Sequence, residues 1–150
     1  MNFEKLLEQR YSKETIRGIA DYLVQNPENM GSYLKIIDEG KPGMSQRAAW
    51  ALGHVGELDK TILIPHLPAL IHILNNPKND AVTRNIYRVL QYANIPEDFE
   101  GIIYDLCIRD LIDPKQPIAV KCFGMTTAFN ICKKHKERYP TRSTPESKKG

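Results

Sequence analysis

The stretch SQRAAWALGHVGE, Ser45 to Glu57, holds three alanines, two glycines and one tryptophan at helical spacing. Side chains this small bury little apolar surface, so a helix built from them gains little by covering a neighbour. What they permit is close approach of backbones. The stretch therefore predicts the inner helix of a stacked repeat, where neighbouring helices lie in tight contact.

Working outward from it, one period governs the chain. Arg47, Arg84 and Lys121 stand 37 residues apart, and the turns before them recur at the same interval, with Lys41 in GKP, Lys78 in PKN and Lys115 in PKQ. Apolar positions follow in the columns Met30/Leu67/Tyr104, Leu34/Ile71/Ile108, Ile37/Leu74/Leu111 and Ala49/Ile86/Phe123. A set of columns at one interval of this size marks a repeat architecture. Each unit reads as two helices, spanning about 28–38 and 44–55, then 65–74 and 81–93, then 97–112 and 118–133. Pro65 and Pro68 fall near a helix start, where a missing N–H is least harmful. Asp80 suits an N-cap. A further pair, 3–10 and 13–25, precedes the repeats, its second helix capped by Ser12 and carrying the apolar stripe Ile16, Ile19, Ala20 and Leu23. No segment shows the period-two alternation of a strand.

QRAAWALGHVG resembles the second helix of a HEAT repeat, with its basic residue, its small residues and Ala-Leu-Gly. LIPHLPALIHILNNP resembles the first helix of the same repeat. The likeness covers about residues 28–133. It implies an all-α fold, a right-handed α-α superhelix of HEAT-like helical hairpins with about eight helices. The expected organisation is one domain over residues 1–135, with a capping pair at 1–26 and repeats at about 27–60, 61–96 and 97–135. The polar, proline-punctuated tail 136–150 is expected to be disordered. The chain also looks like a group of small bacterial HEAT-like proteins, some labelled adenylosuccinate lyase. The lyase superfamily's Ser- and Lys-rich signature loop is absent, and 150 residues are too few for its long helical bundle.

Composition narrows the function classes. The net charge of +3 is located in the tail: residues 1–135 hold 16 Lys/Arg and 16 Asp/Glu, while residues 136–150 hold five basic and two acidic side chains. A neutral body weakens a nucleic-acid reading drawn from isoelectric point. No apolar run reaches the roughly 18–20 residues of a membrane span, and the amino terminus MNFEKLLEQR lacks an apolar signal region. Cys107, Cys122 and Cys132 sit in apolar, helix-like contexts, as free thiols of a reducing compartment would. The expected location is cytoplasmic.

Candidate binding residues come from the second helices. At 100° per residue, Arg47, Trp50 and His54 share one side within about 60°. The 37-residue shift carries them to Arg84, Tyr87 and Gln91, with Arg88 adjacent, and again to Lys121. If these helices line the concave face, a groove displays a cation beside an aromatic in two successive units, residue types prominent in binding hot spots. The competing reading makes Arg47, Arg84 and Lys121 a structural ladder paired with acids of neighbouring turns, and Trp50 half-buried packing. On the last helix, Ile118, Cys122, Met125, Phe129 and Cys132 form one apolar stripe, while Ala119 and Phe123 lie on another side. Two stripes exceed what one preceding repeat covers, so the folded-back tail, a second copy or a partner helix is expected to dock there.

Catalytic and cofactor readings find no support in the residues. His66 and His72 stand about 120° apart, and there is no CxxC, HExxH, GxSxG, P-loop or GxGxxG pattern. The expectation is no enzyme, no cofactor and no metal: an interaction or scaffold module that binds an unidentified protein along the groove. Two alternatives stay open. One is a nucleic-acid-associated protein of the DNA alkylation-repair type. The other is a structural assembly protein held through its last helix, as a homodimer for example.

Overall fold

The computed structural model describes residues 1–9 and 12–138, without the Arg138 side chain. Among them are eight α-helices and no strand: α1 Phe3–Glu8, α2 Lys13–Gln25, α3 Met30–Glu39, α4 Pro42–Leu58, α5 Leu67–Asn75, α6 Asp80–Leu90, α7 Glu97–Ile112 and α8 Ile118–Arg138. Single 3₁₀ turns, Pro27–Asn29 and Ile64–His66, lead into α3 and α5. The all-α repeat of helical hairpins is therefore the observed fold. Most of the expected tail lies outside the described residues, but α8 continues three residues beyond the expected domain end at 135.

Local chemistry explains the helix starts. The Ser12 hydroxyl accepts the Thr15 N–H at 3.2 Å, the expected N-cap of α2. For α6 the cap is Asn79, not Asp80. Its side-chain oxygen accepts the Val82 N–H at 3.1 Å, while its amide nitrogen donates to the Pro42 carbonyl at 2.9 Å. A carboxylate in that place has no proton for the second bond. One residue thus caps a helix and ties it to the preceding repeat, 37 positions back.

The second helices of successive pairs, α2, α4, α6 and α8, lie side by side, and the α4–α6 contact is the most extensive in the molecule. The first helices α3, α5 and α7 form the other layer and touch one another more lightly. Helix α4 packs against α1, α2, α3 and α6. Only a narrow stripe of it, through Gln46, Arg47, Trp50, His54 and Glu57, keeps access to solvent along its middle.

That enclosure accounts for the small residues of the opening stretch. A Cβ built on Gly56 would stand 3.0 Å from the Val89 Cα and 3.0 Å from its Cγ2. One on Gly53 would stand 2.7 Å from the Asn85 side-chain oxygen. No described glycine has a positive φ, so neither is there for its backbone freedom. They are there because α6 occupies the space.

Polar side chains fasten the layers through carbonyls. The Tyr33 hydroxyl donates to the Ala48 carbonyl and the Ser45 hydroxyl to the Ile37 carbonyl, both at 2.7 Å and both buried, joining α3 to α4. Between repeats, Arg109 donates to the Leu74 carbonyl at 3.0 Å and Asn130 to the Gln91 carbonyl at 2.9 Å. Tyr33, Leu70 and Cys107, one column by the 37-residue shift, are all buried. Burial pushes the Cys107 thiol up to about 12, with the Asp110 carboxylate adding to the shift. Cys122 and Cys132, expected to behave as small hydrophobes, are instead exposed; all three thiols are free.

Candidate functional site

The expected groove stripe resolves into separate places. Helices α4 and α6 position Arg47, Trp50 and Arg84 around one recess of about 120 Å³, completed by Gln46 and Asn85. Arg84 is exposed, and Trp50 is half-buried with part of its ring packed on the core. Arg47 turns its guanidinium toward the amino-terminal cap, its Nε donating to the Leu7 carbonyl at 2.6 Å. This is the structural role that the sequence offered for Arg47, with the carbonyl near the end of α1 as an acceptor.

His54 belongs to a second recess, about 270 Å³, between α2 and α4, which it lines with Arg17, Ala20, Asp21, Glu57 and Leu58. Its ring centroid is 6.4 Å from that of Trp50, which joins the two recesses along one face. Its Nδ1 is 3.8 Å from the Glu57 carboxylate, and Arg88 of α6 pairs with that same carboxylate. The His54 pKa is lowered, first by burial and then by the Arg88 charge, and the Glu57 carboxylate only partly opposes this. The result is a polar cluster joining α4 to α6 in which Arg88 is already engaged within the molecule.

Tyr87 corrects the sequence reading. The ring was expected on the open face; it is fully buried. It packs toward α8, where a Cβ on Gly124 would lie 3.9 Å from it. Its hydroxyl donates at 2.5 Å to Asp110 of α7, a buried carboxylate that also accepts Arg109 at 3.1 Å and Gln116 at 3.1 Å. Burial, then this hydrogen bond to a carboxylate, raises the Tyr87 pKa far above its ordinary value, while the same carboxylate raises that of Arg109. Tyr87 is thus a strut between α6, α7 and α8. Gln91 is half-buried and gives its carbonyl to Asn130. Lys121 is half-buried on α8, apart from both recesses. The stripe as drawn therefore keeps Arg47, Trp50, His54 and Arg84 on one face and loses Tyr87 from it.

On the last helix the expected stripe is present as exposed surface: Ile118, Cys122, Met125, Phe129 and Cys132 all face solvent. Val120, Gly124, Thr127, Ala128 and Ile131 form the buried side.

Three charged residues of the His54 recess were not singled out in the sequence: Arg17, Asp21 and Glu57. Glu57 had a signal, because extending the Arg47–Trp50–His54 stripe by three residues reaches it. Arg17 and Asp21 had none, since their neighbour lies on another helix. Asp110 had a weak one, falling seven residues after Ile103 on the apolar side of α7.

Among the described residues no group of three or more His, Cys, Asp or Glu side chains is placed to hold a metal. No described helix is long and apolar enough to cross a membrane. Compared with known families, residues 3–139 match the model of the HEAT repeat domain. No curated protein and no solved structure matches the chain, so these comparisons lend nothing to the narrower resemblance to small bacterial proteins labelled as lyases.

Proposed function

The chain belongs to the HEAT-repeat family, whose members generally serve protein interaction or scaffolding, and from that premise we propose that it is a non-catalytic module binding a protein segment across the open face of α4 and α6. The observation that carries this reading is the recess where half-buried Trp50 meets exposed Arg84 across a helix boundary, with the amides of Gln46 and Asn85 beside them. A partly desolvated aromatic next to a cation suits an acidic or aromatic side chain of a partner. The neighbouring His54 recess extends the face toward α2. Because its thiols are unpaired, the protein fits a reducing, cytoplasmic location.

A duplex-binding role is the weaker reading. Arg47 and Arg88 are engaged by the Leu7 carbonyl and by Glu57, which thins the row of cations a phosphate backbone requires. The test is capture of binding proteins by the whole chain beside a double variant, Trp50→Ala with Arg84→Glu, followed by mass spectrometry. Proteins retained by the parent and lost by a variant of equal helicity support the reading. An identical retained set removes it, and a salt-dependent shift of duplex DNA at micromolar protein replaces it with the nucleic-acid alternative.

A further inference from the structure

The two ends of the stack are chemically unlike. At the amino end, the exposed side chains of α1 and α2 are almost all polar, with Glu4, Lys5, Glu8, Lys13 and Glu14 among them. At the other end the repeat columns lose their cover. Met30 and Leu67 are buried and Tyr104 is half-buried; Ile37 and Leu74 are buried and Leu111 is half-buried; Ala49 and Ile86 are buried and Phe123 is half-buried. A repeat closes its apolar surface by stacking on the next one. The outer side of α8 lies opposite its buried side and is apolar, with Ile118 78%, Met125 51% and Phe129 64% exposed.

The spacing of that surface is specific. Ile118, Cys122, Met125, Phe129 and Cys132 follow each other at intervals of four, three, four and three, the seam one helix presents to another over about 21 Å of axis. The residues bordering a seam select the partner's charge. Here they include Lys121 and Lys133, and α8 has no carboxylate between Ile118 and Lys136. Lys134 is taken up by Glu100. The adjoining cavity of about 660 Å³ between α7 and α8 continues the seam past Cys132, and its Glu97 shares that cavity with His135 and Lys136.

We propose that the outer face of α8 is a docking seam for an amphipathic α-helix of a partner protein, apolar along one stripe and acidic beside it. Two other occupants fit the charges less well. A second copy would bring another α8, which has lysines beside its seam and no carboxylate between Ile118 and Lys136. Residues 139–150 carry Arg142, Lys148 and Lys149 against one acid, Glu146.

The experiment uses the full chain and two 21-residue peptides with leucines at four-three spacing. Glutamates flank the leucines in one peptide, and lysines replace them in its twin. Fluorescence anisotropy is expected to show the glutamate peptide binding at least tenfold more tightly than the lysine peptide. Phe129→Glu is expected to abolish binding. The double reversal Lys121→Glu with Lys133→Glu is expected to invert the preference, with far-UV circular dichroism unchanged in both variants. Equal affinity for the two peptides, or binding of neither, overturns the proposal. So does a concentration-dependent dimer of the parent, seen by sedimentation and lost in Phe129→Glu, which would assign the seam to a second copy.

Discussion

Replacing one glycine of α4 by alanine tests the packing that defines this molecule, and a second glycine supplies the control. A Cβ at Gly18 of α2 meets nothing within 4 Å, whereas one at Gly56 meets the Cα, Cβ and Cγ2 of Val89 at 3.0, 3.2 and 3.0 Å. Alanine in a helix interior is favoured over glycine by about 1 kcal/mol, so Gly18→Ala is expected to stabilise the protein by roughly that amount. At Gly56 the same gain, smaller because the residue lies in the last turn of α4, is set against overpacking. Forcing a methyl group into a filled interior costs about 1–3 kcal/mol, and here one of the obstructing atoms is backbone, which cannot rotate away. The expected net effect of Gly56→Ala is a loss of about 0–2 kcal/mol, leaving the two variants about 1–3 kcal/mol apart. Urea unfolding followed by circular dichroism measures the gap, provided the denaturant slopes agree. Gly53→Ala should fall between them, because its nearest obstacle is the movable Asn85 side chain. If Gly56→Ala proves as stable as Gly18→Ala, α4 and α6 are not in backbone contact and the explanation of the small residues is wrong.

The buried Asp110 network should be costly to dismantle. Tyr87→Phe removes one hydrogen bond to a buried carboxylate and is expected to cost about 1.5–3 kcal/mol. Asp110→Ala, which deprives Tyr87, Arg109 and Gln116 of their common acceptor, should cost more, about 3–5 kcal/mol. Denaturation that ranks the two in the opposite order counts against the network. His54 gives the pH dependence. Its folded-state pKa lies below the unfolded one, so the unfolded chain takes up the proton first and stability falls as pH drops from 7 through about 6.5 toward 5. His54→Gln should flatten that part of the profile, and parallel profiles for parent and variant would refute the reading.

Much of the helical frame was legible in the residues because it depends on local rules. Prolines and caps mark the starts, and apolar columns at 37 residues mark the pairs, so all eight helices fall close to their expected limits. The exposed seam of α8 was legible for the same reason: a second apolar stripe on one helix is a count along the sequence. The groove was less so. Arg47 and Arg84 occupy one column, yet the first reaches back to α1 and the second faces solvent. Trp50 and Tyr87 also share a column, but only the tryptophan lines a recess; the tyrosine turns inward to a carboxylate on the following hairpin.

From the sequence alone come the class of fold, the period, and the demand for tight packing between second helices, since each follows from spacing along a helix. Tertiary structure alone decided which polar side chains are struts and which stay exposed on the surface. That distinction depends on acceptors such as the Leu7 carbonyl, Glu57 and Asp110, which lie 40, 31 and 23 residues from the donors they hold. Helical periodicity carries no information over such distances until the neighbouring helix is in place.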